Sequence, residues 1–541
     1  MKKNLALLVF SFVALSVAAQ NNLPVLKAKN NPVISSEDGV ERPWFISPDV
    51  RPDVMKTSAK NIVFRSSTDT LSFKLEEGKA FDFIVLTNEN DSAFTRVEWV
   101  SDNPLQNPPK RLLGLSATGK MSREQAVFDI DALVYNLSEI HPDMYAQCGM
   151  GEFMHAVAEV KSALPDSLSK LELYEHSAPL VSMLGDGHTI MRFPFNDVFT
   201  SELKREPFLL SINDNDSTVS VRKSACPALP DSVQLKSING IEVRDMVAWM
   251  MNYASGERPF FKLSRVNDLF PALFQMRYAA ESYDVEFIAD GKIKQATVPA
   301  MTFSELKAAY SSSNKPGPKK SDLPYFYEIP DGKKYAILTF NACADEKRMA
   351  VFADSMVTEL NQRKIKHLII DVRYNGGGNS MVGEELLKRI SNVPFNQFGR
   401  SYCRVTPTVQ RLMNQKADAG IYCFAEPTKM IQPLDAEHRF QGKTIMLISH
   451  KTFSSAADFS WTFKYFNMGV VVGEETGGMS VCFGDYLNYR LPVSGLFTSI
   501  SYKRFWQYGA DEKDIHGTVP DYIVPQAEAL EFAKRLTKKR K

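Results

Sequence analysis

Cysteine, histidine, charge of one sign and long apolar runs are all scarce in this chain of 541 residues, and each scarcity removes a class of protein. The six cysteines, Cys148, Cys226, Cys343, Cys403, Cys423 and Cys482, include no C-x-x-C pair. That spacing argues against zinc ribbons and thioredoxin-like redox chemistry. No metal and no cofactor is expected. A net charge of +1 leaves no field that would gather nucleic acid or anionic lipid. The basic run from Lys534 to Lys541 reads as a solvated helix end. No apolar stretch reaches the ~20 residues that span a bilayer, so no permanent membrane anchor is expected.

What is present begins with an address. Lys2 and Lys3 precede an apolar run from Leu5 to Val17, followed by the small residues Ala18 and Ala19. This is the charged, apolar, small-residue order of a secretory signal peptide. Cleavage is expected after Ala19 or Gln20, giving a periplasmic or extracellular protein, and no cysteine stands there to carry a lipid. Export permits disulfides. Cys403 with Cys423, which flank one polar stretch, is the favoured pair.

The rest of the chain is too long for one core, because domains run to ~150 residues. Residues 21–115 are Pro-rich and strand-like, with Phe81 to Leu86 the clearest strand, and read as a small N-terminal β domain. Residues 116–204 turn helical: Val127, Ile130, Leu133, Val134 and Leu137 recur at three- and four-residue spacings. A later helix stops near Gly185. Residues 205–302 return to β character, with an Asn239-Gly240 turn. Residues 303–324, including Pro316, Gly317 and Pro318, read as a linker. Residues 325–541 alternate strand and helix, which predicts an α/β core with a mixed sheet flanked by helices. In such sheets, sites form beyond the carboxyl ends of the strands.

Two turns lie there. Ser455 follows a buried-type strand and opens a helix, where free N–H groups and the helix dipole favour an oxyanion. The alternative is a capping box, Ser455-x-x-Asp458. The other turn, Asp371-Val372-Arg373-Tyr374-Asn375-Gly376-Gly377-Gly378, frees backbone donors to approach a ligand. It lacks the lysine and hydroxyl of a P-loop. Tight helix entry and oxyanion loop both fit it.

Together these residues resemble the tail-specific (C-terminal-processing) serine protease family. Asp371-x-Arg373-x-Asn375-x-Gly377-Gly378 is similar to its D-x-R-x-N-x-G-G signature, and Ser455-Ala456-Ala457-Asp458 to its S-A-x-E nucleophile motif. Gly473-Glu474-x-Thr476-x-Gly478 resembles G-E-x-T-x-G, and Gly517-x-x-Pro520-Asp521 resembles G-x-x-P-D. The resemblance implies a crotonase-like core that cleaves peptides through an acyl-enzyme on Ser455. It implies oxyanion donors at Gly376 or Gly377 and at Ala456. The chain departs where bacterial processing proteases carry a lysine base: Met479 and Ser480 stand there, and Lys503 is far downstream. This points to the tricorn-like branch, with histidine as base. Among eight histidines His188, in Leu184-Gly185-Asp186-Gly187-His188-Thr189, fits best. A reference pKa of ~6.5 suits imidazole to general-base work. The branch places an acid at Asp514, one methylene shorter than its usual glutamate, and a serine where this chain has Gly187.

Residues 205–302 resemble a PDZ domain through Leu235-x-x-Ile238-Asn239-Gly240-x-x-Val243, although no glycine-rich carboxylate loop precedes Phe208. PDZ domains take chain ends as an added strand. The expected activity is therefore that of an exported serine peptidase acting on peptides or proteins. The alternative is a catalytically inactive ligand- or peptide-binding protein on the same fold, as retinoid-binding relatives illustrate.

Overall fold

The computed structural model describes eight strands between Val25 and Trp99, residue 115, and residues 119–538 except 201, 214, 311–322, 414–419 and 426. The expected signal peptide lies outside the described residues. The eight strands form two four-stranded sheets. The chain divides into two compact units. One comprises residues up to Leu184 with Tyr402–Cys423 and Asp485–Lys503; the other holds the remainder. The division falls after Leu184, so His188 goes with the second unit.

In the first unit, helix Arg123–Ile140 opens on a capping box: Gln125 N–H donates to Ser122 Oγ, and Ser122 N–H to Gln125 Oε1 at 2.9 Å. It buries Ile130, Leu133 and Leu137 of the expected stripe together with Ala126, while Val127 and Val134 are half-buried. Asp129 on this helix is buried and accepts the N–H groups of Val493 and Ser494 at 2.8 and 2.7 Å. Helix Lys170–Ser182 repeats the device with Ser169 and Glu172. The expected disulfide is not formed, although Cys403, which is buried, and Cys423, which is exposed, are near enough for the charge of one to act on the other.

In the second unit, Phe208–Ile212, Val219–Ser224, Gln234–Ile238, Ser282–Ala289 and Lys292–Pro299 pair as an antiparallel sheet. The Asn239-Gly240 turn takes φ of 49° and 76°, the two positive values that such a pair supplies. Helix Pro259–Tyr278 packs on the edge strand Phe208–Ile212. Its Asn267 accepts the Ile212 N–H with Oδ1 at 3.1 Å and donates Nδ2 to the Ile212 carbonyl at 2.8 Å. Helix Phe303–Tyr310 occupies the start of the segment read as a linker.

The core sheet has six strands in the order β1 (Tyr325–Glu328), β2 (Tyr335–Phe340), β3 (His367–Asp371), β4 (Lys443–Ile448), β5 (Val470–Gly473) and β6 (Tyr522–Ile523). β1 runs antiparallel to β2 and every other pair is parallel, so the sheet is mixed. Its helices are α1 (Glu346–Gln362), α2 (Ser380–Ile390), α3 (Ser455–Tyr465) and α4 (Ala529–Leu536). Side chains alternate across a strand. One row, Leu338, Ile370, Met446 and Val471, therefore faces α1, α2 and α3, while the next, Ile337, Ile369, Ile445 and Val470, faces α4. Burial on both faces explains the near-continuous Ile, Leu and Val runs. Each such side chain is worth about 1.5–3 kcal/mol when fully buried. The parallel strands deliver three turns to one end of the sheet, after Asp371, Ile448 and Gly473.

Candidate active site

The turn after β3 is built by its own polar side chains. Arg373 folds back on Asp371, with Nε 2.9 Å from Oδ1 and Nη2 2.7 Å from Oδ2, a bidentate pair that is almost wholly buried. Asn375 is fully buried and ties three segments together. Its Nδ2 donates to the Phe340 carbonyl at the end of β2 at 3.0 Å. Its Oδ1 accepts the Gly377 N–H at 2.9 Å, and its carbonyl accepts the Phe453 N–H at 3.0 Å. Gly377 has φ of +100°, and a Cβ there would lie 2.6 Å from Ser454 Cβ and 2.9 Å from Ser455 N. Only a glycine lets this loop close against the serine turn.

Ser455 is the first residue of α3 and is 6% exposed. Ser454 before it sits at φ 51°, ψ −135°, a sparsely populated conformation that turns the chain sharply from β4 into the helix. The capping box does not form. Ser454 is the N-cap residue, its carbonyl accepts the N–H groups of Ala457 and Asp458, and Ser455 Oγ instead donates to the Gly378 carbonyl at 2.7 Å. The serine hydroxyl therefore lies against the glycine loop, with the N-terminus of α3 beside it. The Ala456 N–H reaches the Phe453 carbonyl at 3.2 Å, and the Gly377 N–H is held by Asn375. A Cβ on Gly376 would meet nothing within 4 Å, so that residue borders open space.

His188 is 9% exposed, and its ring lies on Phe453, two residues before Ser455, with centroids 4.4 Å apart. Its loop is folded by Asp186, which is buried and accepts the His188 N–H at 2.8 Å and the Thr189 hydroxyl. The Asp186 carboxylate is 3.9 Å from His188 Nδ1. Asp514 sits elsewhere: it is exposed in a turn closed by its N–H on the Asp511 carbonyl, and its carboxylate bonds no described residue. The structure thus seats Ser455 against the glycine loop and packs His188 on Phe453 of the same turn, and leaves Asp514 in solvent.

The remaining motif residues act as fasteners. The Gly517 N–H donates to Glu475 Oε1 at 2.8 Å and the Thr518 N–H to Thr476 Oγ1 at 2.7 Å, so the third and fourth motifs are stitched together. Asp521 accepts the Val471 N–H of β5 at 2.7 Å and pairs with Lys464. Met479 is buried. Lys503 pairs with Asp485 at 2.6 Å. Among the described residues no cluster of His, Cys, Asp and Glu fits a metal ion, and no helix is long and apolar enough to cross a membrane.

Sequence reasoning missed four contributors. Asn375 was read as part of a motif, but its joinery depends on which strand ends meet. Ser454, Phe453 and Glu257 carried no local signal. The Glu257 Oε1 accepts the Gly187 N–H at 3.1 Å, and burial together with the charge of Asp186 pushes its carboxyl up to about 7. Cys343 lies under the glycine loop, where burial pushes its thiol up to about 12.

No curated protein matches the chain by sequence. Residues 334–524 match the model of Peptidase family S41. Among solved structures, a mutant of CPAF aligns with a TM-score of 0.58 at 13% identity, covering 77% of this chain and 97% of that one. Mature CPAF complexed with lactacystin aligns with a TM-score of 0.56 at 14% identity, over 77% of this chain and 98% of its own. These likenesses establish the shared fold of a mixed sheet flanked by helices. Residues 334–524, the stretch similar to Peptidase family S41, carry all four of the tail-specific protease motifs.

Proposed function

We propose that the protein is an exported serine peptidase in which Ser455 attacks the peptide carbonyl and His188 serves as general base. The observation that carries this reading is the seat of Ser455. Its hydroxyl sits at the first position of α3 against the Gly378 carbonyl, reached through the Ser454 turn. His188 packs on Phe453 of the same turn, the rings tilted by 33°. In the first half-reaction the Ser455 oxygen bonds to the carbonyl carbon while its proton passes to His188. Collapse of the tetrahedral adduct breaks the C–N bond, and the imidazolium returns that proton to the leaving amine. Water repeats the sequence on the acyl-enzyme and restores Ser455.

The oxyanion is served by the glycine loop and the start of α3. Gly376 borders open space, whereas the Gly377 and Ala456 amides are already engaged in the resting state, with Asn375 and Phe453. Gly376 N–H is the favoured donor, with the helix dipole adding positive potential. Asp186 takes the orienting role proposed at first for Asp514, since it shapes the histidine loop. A lysine base is disfavoured by the burial of Met479 and by the partners that hold Lys464 and Lys503. Substrates are peptides or proteins. The segment 205–302 is read as a PDZ-like module that presents them.

The deciding experiment is fluorophosphonate labelling of the mature, full-length protein with the modified residue mapped. Modification of Ser455, absent in Ser455→Ala and strongly slowed in His188→Ala, is expected. A folded protein that neither labels nor hydrolyses peptides would instead support the non-catalytic binding protein. Peptide hydrolysis should rise through roughly pH 6–7 as a histidine base loses its proton. A profile that rises only in the alkaline range would assign the base to another group. Amino-terminal sequencing of the secreted material tests cleavage after Ala19 or Gln20.

A further inference from the structure

The histidine loop is gripped from a second place in the chain. Residues 257–259 lead into helix Pro259–Tyr278, and two consecutive side chains there reach in different directions. Glu257 Oε1 accepts the N–H of Gly187, the residue before His188, at 3.1 Å. The Arg258 guanidinium donates to the carbonyl of Ile515, next to Asp514. Glu257 Oε2 is buried and hydrogen-bonds no described residue. The carboxyl faces Asp186 of the histidine loop, Arg265 of its own helix and the thiol of Cys482. Arg265 in turn lies over the rings of Phe261 and Phe453, at 4.6 and 5.1 Å, so the cluster underlies the ring on which His188 rests.

A buried carboxyl beside a second carboxylate is costly, and its cost rises once it ionises. Arg265, itself buried, faces this carboxyl, so the acid meets a cation as well as the loop. A Cβ on Gly187 would lie 2.8 Å from Phe453 and 2.9 Å from Phe261, so the loop is already pressed between aromatic rings with no room to adjust. What the rings do not supply is an acceptor for the Gly187 N–H. Glu257 supplies it, and so sets the height of the loop over Phe453.

We propose that Glu257 is a positioning residue for His188, holding the Asp186–Thr189 loop in place through the Gly187 N–H. The inference rests on the reading of His188 as base. It separates the acceptor, which a glutamine retains, from the charge, which it does not. A loop displaced by about 1 Å loses up to ~10²-fold in turnover.

The test uses the full-length protein and three variants, Glu257→Gln, Glu257→Asp and Glu257→Ala. The Gln variant, whose amide oxygen still reaches Gly187, should keep kcat within about threefold of wild type. The Ala variant should lose about 10–10²-fold in kcat with KM nearly unchanged. The Asp variant, one methylene short, should fall with Ala, and it carries the test if Ala does not fold. The His188 ring resonances, followed by NMR in the same proteins, should move in Ala and Asp and stay in Gln. Wild-type kcat in the Ala and Asp variants, or loss in Gln equal to that in Ala, would overturn the proposal. Were the wild type to show no hydrolysis and no Ser455 labelling, the peptidase reading would fall. The ring resonances would still decide the positioning: no movement in Ala or Asp overturns it.

Discussion

A methyl group added at Gly377 would meet Ser454 Cβ at 2.6 Å, whereas one added at Gly376 would meet nothing. The two adjacent glycines therefore answer differently to the same change. Gly377→Ala also forces alanine to φ of +100° and should push the serine turn out of place. Steady-state hydrolysis by Gly377→Ala should fall at least ~10²-fold with a lower melting temperature. Gly376→Ala should keep the melting temperature of wild type. Equal behaviour of the two would show that the loop does not bear on Ser454. At this scale the sequence singles out Ser455 and the glycines by motif, and His188 by its glycine-flanked loop. It was not legible where a residue matters through distant partners. Asn375 earns its place because Phe340, Gly377 and Phe453 converge on it, and none of these is near it in a recognisable pattern except Gly377. Asp514 was misplaced for the same reason: spacing along the chain does not report that its turn faces solvent.

Elements carry their own predictions. Glu206 enters the edge strand Phe208–Ile212 from a buried position, and desolvation pushes its carboxyl up from 4.5 to about 7 despite the charge of Arg205. The folded state thus holds a proton that the unfolded chain gives up, so stability from this group is present below the lower value and is lost as pH rises through the higher. Glu206→Gln removes that loss. Its melting temperature should exceed that of wild type at pH 8 and match it near pH 5, a difference on the order of 3 kcal/mol at most. An unchanged difference across that range would show that Glu206 is ionised in the fold. At the far end of β5, Asp521→Ala leaves the buried Val471 N–H without its acceptor. About 1–3 kcal/mol of stability should be lost in chemical denaturation, with fluorophosphonate labelling of Ser455 intact at low temperature. Loss of labelling in a folded Asp521→Ala protein would make that aspartate part of the site. The helices and core strands were readable because burial on one or two faces imposes a period on the sequence. The capping box at Ser455 misled, since Ser454 and Ser455 are identical in type and only the backbone turn decides which of them caps.

For the molecule as a whole, the cysteines offer the plainest check. Cys403 and Cys423 lie at different depths, and no disulfide is formed. Reductant should leave the melting temperature unchanged, and alkylation after unfolding without reductant should modify all six thiols. Recovery of only four would establish a bridge. The alternation of strand and helix over residues 325–541 made the core sheet readable at this scale, because a parallel sheet must return through a crossover after each strand. The partition of the chain was harder to read, since the first compact unit draws on three separate stretches of sequence.

The amide of Asn267 has a consequence for any chain that lines up along Phe208–Ile212. Both outward-facing groups of Ile212 are already spoken for by that one side chain. A guest strand extending past Ile212 cannot simply add its rungs to a bare ladder; it must evict a tenant. The exchange returns two hydrogen bonds for two surrendered, so this rung discriminates little by strength and much by shape. Asn267 therefore closes the edge at this rung, and a strand that stopped one residue short would leave both of its bonds intact.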